Sequence, residues 1–415
     1  MGKRRVVITG MGTINAVGHN VEETWKNLIA GKSGIGKISR FELTEEYASR
    51  IAAEIKNYDP KEHFDRKRIK KLDPYTQYAL IAARQALENA GLINAEFDHD
   101  RAGVIMGSGI GGMLTFEEES SKFILKGPKR VSPFFVPKMI SNIGVAEIAI
   151  DFNLRGINFN TVSACASANH ALGTAFRTIQ YGDADIIVSG GAEGAVTPLT
   201  VAGFSAMKAL STRNDEPEKA CRPFDKERDG FIMAEGAGVL VLEELEHAQK
   251  RGAKIYAEII GYGASCDAFH ITAPAENGEG GARAAIQAIK DAGIKPEDID
   301  YVNAHGTSTP LNDKNETAMY KTVFGDYAYK VKINSTKSMI GHTLGAAAGI
   351  EAIVCCKTIE SGIIHPTINQ EVPDPECDLD YVPNKAINHE VKIALSNSLG
   401  FGGHNSVLIF KKFAE

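Results

Sequence analysis

Ala86-Leu87-Glu88-Asn89-Ala90-Gly91-Leu92 returns, at an offset near 200 residues, as Ala288-Ile289-Lys290-Asp291-Ala292-Gly293-Ile294. Alanines at helical spacing with a glycine at the stop describe the last turns of a helix that ends in a left-handed residue. Each copy is followed by an Asp-containing loop and a short strand pattern, Gly103–Met106 and Tyr301–Ala304. The first runs into Gly107-Ser108-Gly109-Ile110-Gly111-Gly112 and the second into His305-Gly306-Thr307. Two readings are open: chance likeness between alanine-rich helices, and a duplicated α/β unit. Duplication puts a seam near residues 245–255, where Glu and Lys cluster in ELEHAQKRGAK.

Outward from the repeat, helical and strand patterns alternate, as in an α/β fold with buried sheets. Residues 5–9, 103–106, 185–189, 237–242, 255–260 and 406–410 are rich in β-branched residues and read as strands. Residues 75–90, 166–181, 282–292 and 344–360 carry alanine faces at helical spacing. A chain of 415 residues, 43% apolar and 24% charged, is ordinary globular material for two or three units, or one core built from two halves. That composition excludes a wholly disordered, collagenous or disulfide-stapled chain.

No run approaches the ~18–20 apolar residues of a membrane span. The basic start is followed only by Val6-Val7-Ile8 before Thr9-Gly10, too short for a signal-peptide core, so an opening strand is expected. Cys165, Cys221, Cys266, Cys355, Cys356 and Cys377 form no CxxC pair, and a reduced, cytoplasmic chain without structural zinc is expected. With 46 Lys+Arg against 52 Asp+Glu, the net charge of −6 argues against non-specific nucleic-acid or membrane binding. On total charge alone, an acidic partner is also disfavoured.

Thr161-Val162-Ser163-Ala164-Cys165-Ala166-Ser167-Ala168-Asn169-His170 reads as strand end, sharp turn and helix start. Small residues flank the sulfur and leave room for a substrate. A cysteine at a helix N-terminus lies near the positive dipole end, which favours thiolate, and free N–H groups there can stabilise an oxyanion. The competing reading is a small buried hydrophobe; Cys355 and Cys356, mid-helix in an apolar run, fit that reading. His305 follows a strand pattern and His342 precedes an alanine-rich helix, the positions where open α/β sheets place chemistry. His99, His247 and His389 stand among charged residues and are expected to be solvated. Gly400-Phe401-Gly402-Gly403 forms a pliable turn whose N–H groups can approach a ligand. Neither it nor Gly107–Gly112 has phosphate-loop or dinucleotide-fingerprint spacing, so a nucleotide site is not expected. Arg66-Lys67-Arg68-Ile69-Lys70-Lys71 reads either as a solvated helix face or as a docking patch.

Cys165 in SACASA, His305 in AHGTSTP, Lys337 and His342 in NSTKSMIGHTLGAAAG, and Phe401 in GFGGHN resemble the β-ketoacyl-[acyl-carrier-protein] synthases. Their order and spacing are similar to the type II synthase of dissociated fatty-acid synthesis, and the likeness runs from VVITGMG at 6–12 to SVLIFKK near the end. The resemblance implies a thiolase-like α/β fold: duplicated halves in a five-layer αβαβα arrangement, here 1–250 and 251–415, in a homodimer. It implies decarboxylative condensation of malonyl carrier protein with an acyl chain held on Cys165, giving 3-oxoacyl carrier protein two carbons longer.

On the same resemblance, backbone N–H groups of Cys165 and Phe401 form the oxyanion hole. His305 and His342 bind the malonyl thioester carbonyl, and Lys337, near Glu351, orients His342. Ile110 and Phe204 line the acyl pocket, Phe401 gates it, and Thr307 and Thr309 contact the pantetheine arm. No cofactor is implied beyond the phosphopantetheine carried by the substrates, and a structural cation near Asn303, Glu351, Ser396 and Asn397 is a further possibility. Acyl carrier protein is strongly acidic, and Lys67, Lys70, Lys71, Lys129, Arg130 and Lys208 match family docking positions, so grouped cations replace total charge as the guide to the partner. Two departures from the family pattern, His404 and Leu399, flank the gate. A polyketide or specialised-lipid ketosynthase is the alternative; the end at Glu415, without acyltransferase or carrier segments, disfavours a modular megasynthase. A chain-length factor is opposed by the presence of Cys165, and a cysteine hydrolase by the second histidine loop.

Overall fold

Five strands and their five counterparts build a computed structural model that describes residues 3–414. Met1, Gly2 and Glu415, at the outer ends of the two expected halves, lie outside the described residues. The first set is β1 (Val6–Asn15), β2 (Ala102–Gly107), β3 (Asn158–Thr161), β4 (Ile186–Glu193) and β5 (Gly236–Glu244). The second is β6 (Ala257–Cys266), β7 (Tyr301–Asn303), β8 (Lys332–Asn334), β9 (Ile393–Gly400) and β10 (His404–Lys411). The spatial orders are β3-β2-β4-β5-β1 and β8-β7-β9-β10-β6, the same topology twice. β2 pairs in parallel with β3 and β4, while β4–β5 and β5–β1 are antiparallel. The second half repeats each sense. The halves join edge to edge where Val6, Val7 and Ile8 oppose Ile259, Glu258 and Ala257.

Six helices cover the strands: α1 (Pro74–Asn89), α2 (Ile143–Phe152), α3 (Ser167–Gln180), α4 (Glu279–Ala292), α5 (Pro310–Phe324) and α6 (Ala347–Ser361). α1 and α2 bury Ala82, Leu87 and Ile148 against Val104, Val188 and Val239 of the first half. α4 and α5 bury Ala288, Tyr320 and Phe324 against Val302, Leu395 and Ile409 of the second. Between the sheets, Leu172 and Phe176 of α3 share one core with Ile353 and Cys356 of α6, Ile105 and Leu240 of one half and Leu408 and Phe410 of the other. The result is five layers, αβαβα.

The repeat has a packing cause. A Cβ on Gly10 or Gly12 of β1 would lie 2.2 Å from the Ala86 carbonyl oxygen or 2.1 Å from that of Ala82. On Gly261 or Gly263 of β6 it would lie 2.4 Å from the Ala288 oxygen or 2.1 Å from that of Ala284. In both halves a helix backbone rests on paired strand glycines, so alanine is required facing them and the same words recur. Both helices end at left-handed glycines, Gly91 (φ +70) and Gly293 (φ +66). Duplication, not coincidence, accounts for the echo.

All six strand patterns and all four helix patterns lie on elements of the matching type, with β1 extending to Asn15. The short strands β3 and β8, the longer β9, and helices α2, α5 and Met113–Lys126 had no counterpart in the periodicity. His247 departs from the solvated expectation: it is three-quarters buried, with Nδ1 2.6 Å from the Glu243 carboxylate. All six cysteines are unpaired. Among the described residues no helix is long and apolar enough to cross a membrane.

Candidate active site between the two halves

After β3 the chain reverses through Ala164, whose φ of 49° is left-handed, into a short turn Ala164–Ala166 and then α3. Ser167 secures this elbow: its hydroxyl accepts the Ser163 N–H at 2.9 Å and donates to the Ala164 carbonyl at 2.7 Å. The β2 end passes so close that a Cβ on Gly107 would meet the Ser167 carbonyl carbon at 2.3 Å. Cys165 is thereby fixed at the N-terminal end of the middle layer, against α6 and the end of β9.

His342 Nε2 lies 3.1 Å from Cys165 Sγ. The His305 and His342 rings meet edge to face, centroids 5.3 Å apart at 86°, and the reactive atoms of all three residues lie within 4.8 Å of one another. Three backbone hydrogen bonds place the two histidines. His342 donates its N–H to the Ile232 carbonyl at 2.8 Å and accepts that of Ala234 at 3.1 Å. His305 donates its N–H to the Glu316 carboxylate at 2.7 Å. Behind them Lys337 and Glu351, both essentially without exposure, form an ion pair.

Burial holds both imidazoles well below their ordinary pKa, and the Lys337 charge adds to this, so both rings are neutral. Each leaves a buried Nδ1 without a partner. Burial also pushes the Cys165 thiol up to about 11, against the opposing pull of Lys337 and of the Phe401 and Cys165 backbone N–H groups. The helix N-terminus therefore does not yield a resting thiolate; desolvation of the buried sulfur outweighs it.

A cavity of about 460 Å³ brings together Cys165, His305, His342, Thr307, Thr309, Phe401, Ile110 and Phe204, with Lys208 and Leu399 also on its wall. Aromatic rings step from the loop to the imidazole: Phe401–Phe204 at 6.4 Å, Phe204–Phe231 at 5.2 Å and Phe231–His342 at 5.4 Å. The His404 ring covers Gly402 and stands 6.3 Å from that of His170, whose Nδ1 is 2.7 Å from the Ser163 hydroxyl. Lys337 and Glu351 lie outside the cavity wall. The six expected docking cations, Lys67, Lys70, Lys71, Lys129, Arg130 and Lys208, are all exposed. Among the described residues none of the six is within salt-bridge distance of a carboxylate, whereas Arg68 between them is held by Glu147 and Asp151. Lys71 Nζ lies 5.4 Å above the Phe134 ring.

Of the four suggested cation ligands, Asn303, Glu351 and Ser396 each keep one buried side-chain oxygen without a partner. Asn397 instead accepts from Tyr320 at 2.8 Å and donates to Glu316 at 2.7 Å. Glu316 escaped the sequence reading. Its carboxylate takes the N–H groups of His305 and Gly306 at 2.7 and 2.8 Å, so it sets the histidine loop. The polar stripe Asn312, Glu316, Tyr320 at i, i+4 spacing on α5, directly after that loop, is the signal that could have found it.

Residues 3–248 match the family model described as Beta-ketoacyl synthase, N-terminal domain, and residues 256–371 its C-terminal domain. The chain is 53% identical over 410 residues to 3-oxoacyl-[acyl-carrier-protein] synthase 2 of Staphylococcus aureus strain COL, covering 99% of each chain. It is 49% identical over 411 residues to the protein of that name from Synechocystis sp., again covering 99% of each. Among solved structures, a β-ketoacyl synthase from Burkholderia phymatum superposes with a TM-score of 0.93 at 36% identity, over 99% of this chain and 100% of that one. A type II polyketide ketosynthase solved with its acyl-carrier protein superposes with a TM-score of 0.92 at 37% identity, over 99% and 100%. Matches that run through both halves in order, and relatives aligned over nearly the whole length, agree with what the repeat and the cavity require: the chain belongs to the β-ketoacyl synthase family.

Proposed function

We propose that the chain is a condensing enzyme of fatty-acid elongation, joining malonyl-acyl carrier protein to a Cys165-bound acyl chain with loss of CO₂. The observation that carries this reading is the Cys165–His342 approach of 3.1 Å, with His305 beside it, inside an apolar-walled cavity. Cys165 attacks the thioester carbon of the acyl carrier as His342 Nε2 takes the thiol proton. Charge gathers on the thioester oxygen between the N–H groups of Cys165 and Phe401, and the carrier leaves as its free thiol, bearing that proton. Malonyl carrier protein then binds, and neutral His305 and His342, the latter now as the tautomer with its proton on Nε2, each donate a ring N–H to its thioester carbonyl. Breaking the bond to the carboxylate releases CO₂ and leaves an enolate, which attacks the Cys165 thioester. The product is 3-oxoacyl carrier protein two carbons longer; Cys165 is expelled as its thiolate and returns to the thiol by taking one proton from water that enters the cavity. Lys337 supplies field and position, with no proton transfer.

Ile110 and Phe204 receive the acyl chain, Phe401 gates it, and Thr307 and Thr309 hold the pantetheine arm. The six unpaired cations receive the acidic carrier protein, a partner supported by the carrier complex of the polyketide relative. A homodimer is supported by β3, which among the described residues has no strand on its outer edge and is followed directly by the exposed Val162, with Ile150 exposed on α2, which packs on β3; molar mass in solution tests it. The unpartnered oxygens of Asn303, Glu351 and Ser396 suit a hard cation, which would brace Glu351 and so Lys337. A polyketide role is the second reading, raised by relatives at 37–38% identity, below the 53% of the fatty-acid synthases.

The test is condensation with acyl and malonyl carriers: a product two carbons longer with stoichiometric CO₂ supports the reading. His305→Ala slows CO₂ release at least about 100-fold, as removal of one oxyanion donor does elsewhere. An unchanged release rate contradicts it.

A further inference from the structure

Glu193 is the last residue of β4, is fully buried, and takes no part in the chemistry above. Its Oε2 accepts the N–H of Gly109 at 2.7 Å and of Gly345 at 3.0 Å. Its Oε1 accepts the Ser108 hydroxyl at 3.1 Å and the Ile110 N–H at 3.2 Å. The Ser108 oxygen accepts the Gly111 N–H at 3.1 Å, which leaves its own proton to point at Glu193. Four donors and no acceptor for a carboxyl proton mark this as a buried carboxylate.

Duplication explains its position. Leu344-Gly345-Ala346 is the second half's copy of the Ala164-Cys165-Ala166 elbow, down to the left-handed φ of 47° at Leu344 against 49° at Ala164. Gly345 thus stands where Cys165 stands. Glu193, closing β4, stands where Gly400 closes β9. At Gly400 there is no side chain: a Cβ would lie 3.3 Å from the Cys165 nitrogen, so the corner stays open for a substrate oxygen. In the other half a resident carboxylate fills that corner.

We propose that Glu193 is a positioning residue: its carboxylate occupies the second half's counterpart of the oxyanion site and ties the cavity wall at Gly109–Ile110 to the start of α6. It thereby makes one of two similar elbows inert and holds Ile110 as a rigid limit on acyl length. The carboxylate also borders the Cys165 elbow, since a Cβ on Gly109 would lie 3.0 Å from Glu193 Oε2 and 3.5 Å from the Ala164 carbonyl oxygen. Its charge there opposes ionisation of Cys165, whose sulfur otherwise meets His342 and His305, with the Lys337 charge pulling the other way. The acyl-length part rests on the proposed condensing activity; the charge part does not.

Two variants separate these effects. Glu193→Gln turns an amide donor toward N–H groups and removes the charge; Glu193→Asp keeps the charge but is one methylene too short to reach all four donors. Two readouts are taken: relative kcat/KM for acyl carriers of graded length, and the pH midpoint of Cys165 alkylation by iodoacetamide. Both variants relax length discrimination by about threefold or more, well within what one methylene of pocket shape commands. Glu193→Gln alone lowers the alkylation midpoint, by about half a unit or more, while Glu193→Asp leaves it in place. Wild-type length profiles in both variants, or equal midpoint shifts in both, overturn the proposal. Should Glu193→Gln not fold, Ser108→Ala removes one donor only; an unaltered length profile there, with Glu193→Asp also unaltered, overturns it equally. If the wild type forms no acyl-enzyme, the proposed function fails, and the alkylation midpoints alone decide the role of Glu193.

Discussion

Lys337→Met tests what the buried ion pair does. Lys337 is 1% exposed and Glu351 0%, so removing the ammonium strands a carboxylate in the middle layer. Breaking one partner of a buried pair costs about 3–5 kcal/mol. At about 2.1 cal/mol/K per residue, 415 residues unfold with about 0.9 kcal/mol/K. The expected fall in Tm is therefore about 3–6 °C by calorimetry. The double variant Lys337→Met/Glu351→Gln removes both charges and recovers most of that loss. The reactive groups respond differently. Lys337 draws down the Cys165 thiol and both imidazoles. Without it the thiol rises beyond about 11, and alkylation at a fixed pH slows in the single and the double variant alike. A single variant melting within about 1 °C of wild type, or a double variant that restores alkylation together with Tm, refutes this division between stability and field.

Two further outcomes are expected. Because burial lowers the pKa of His305 and His342 well below 6.5, protonation sets in only under that value, and Cys165→Ala releases CO₂ from malonyl carrier at a constant rate from about pH 7.5 to about 5.5; an inflection near 6.5 contradicts neutral imidazoles. Reversing Lys67 and Lys71 to Glu raises the KM for carrier-bound substrate about tenfold at low salt with little change in kcat, and a fall confined to kcat would make them a merely solvated face.

The duplication was legible because it is written in small residues. Gly10, Gly12, Gly261 and Gly263 leave no room for a side chain, so Ala86 and Ala288 had to recur. The chain reversals at Cys165, His305 and His342 were legible for a related reason: tight turns restrict which residues fit. Strands β3 and β8, of four and three residues with Asn, Thr or Lys, carry too little alternation to announce themselves. The state of Cys165 was half legible, since helix-end electrostatics, which does favour the thiolate, can be seen along the chain but desolvation depends on what α6 and β9 bring across from the other half. Glu193 and Glu316 were not singled out, because the donors a carboxylate binds show only in the fold. Their donors, Gly345 for one and His305 for the other, lie 152 and 11 residues away.

The central claim is that Cys165 carries the acyl chain. Intact-mass analysis after incubation with acyl carrier protein, before malonyl carrier is added, tests it most directly. The wild type should gain the mass of one acyl group per chain, lose it when malonyl carrier is supplied, and Cys165→Ala should gain none. An adduct on Cys165→Ala, or elongated product from a wild type that never carries an acyl group, would contradict the account.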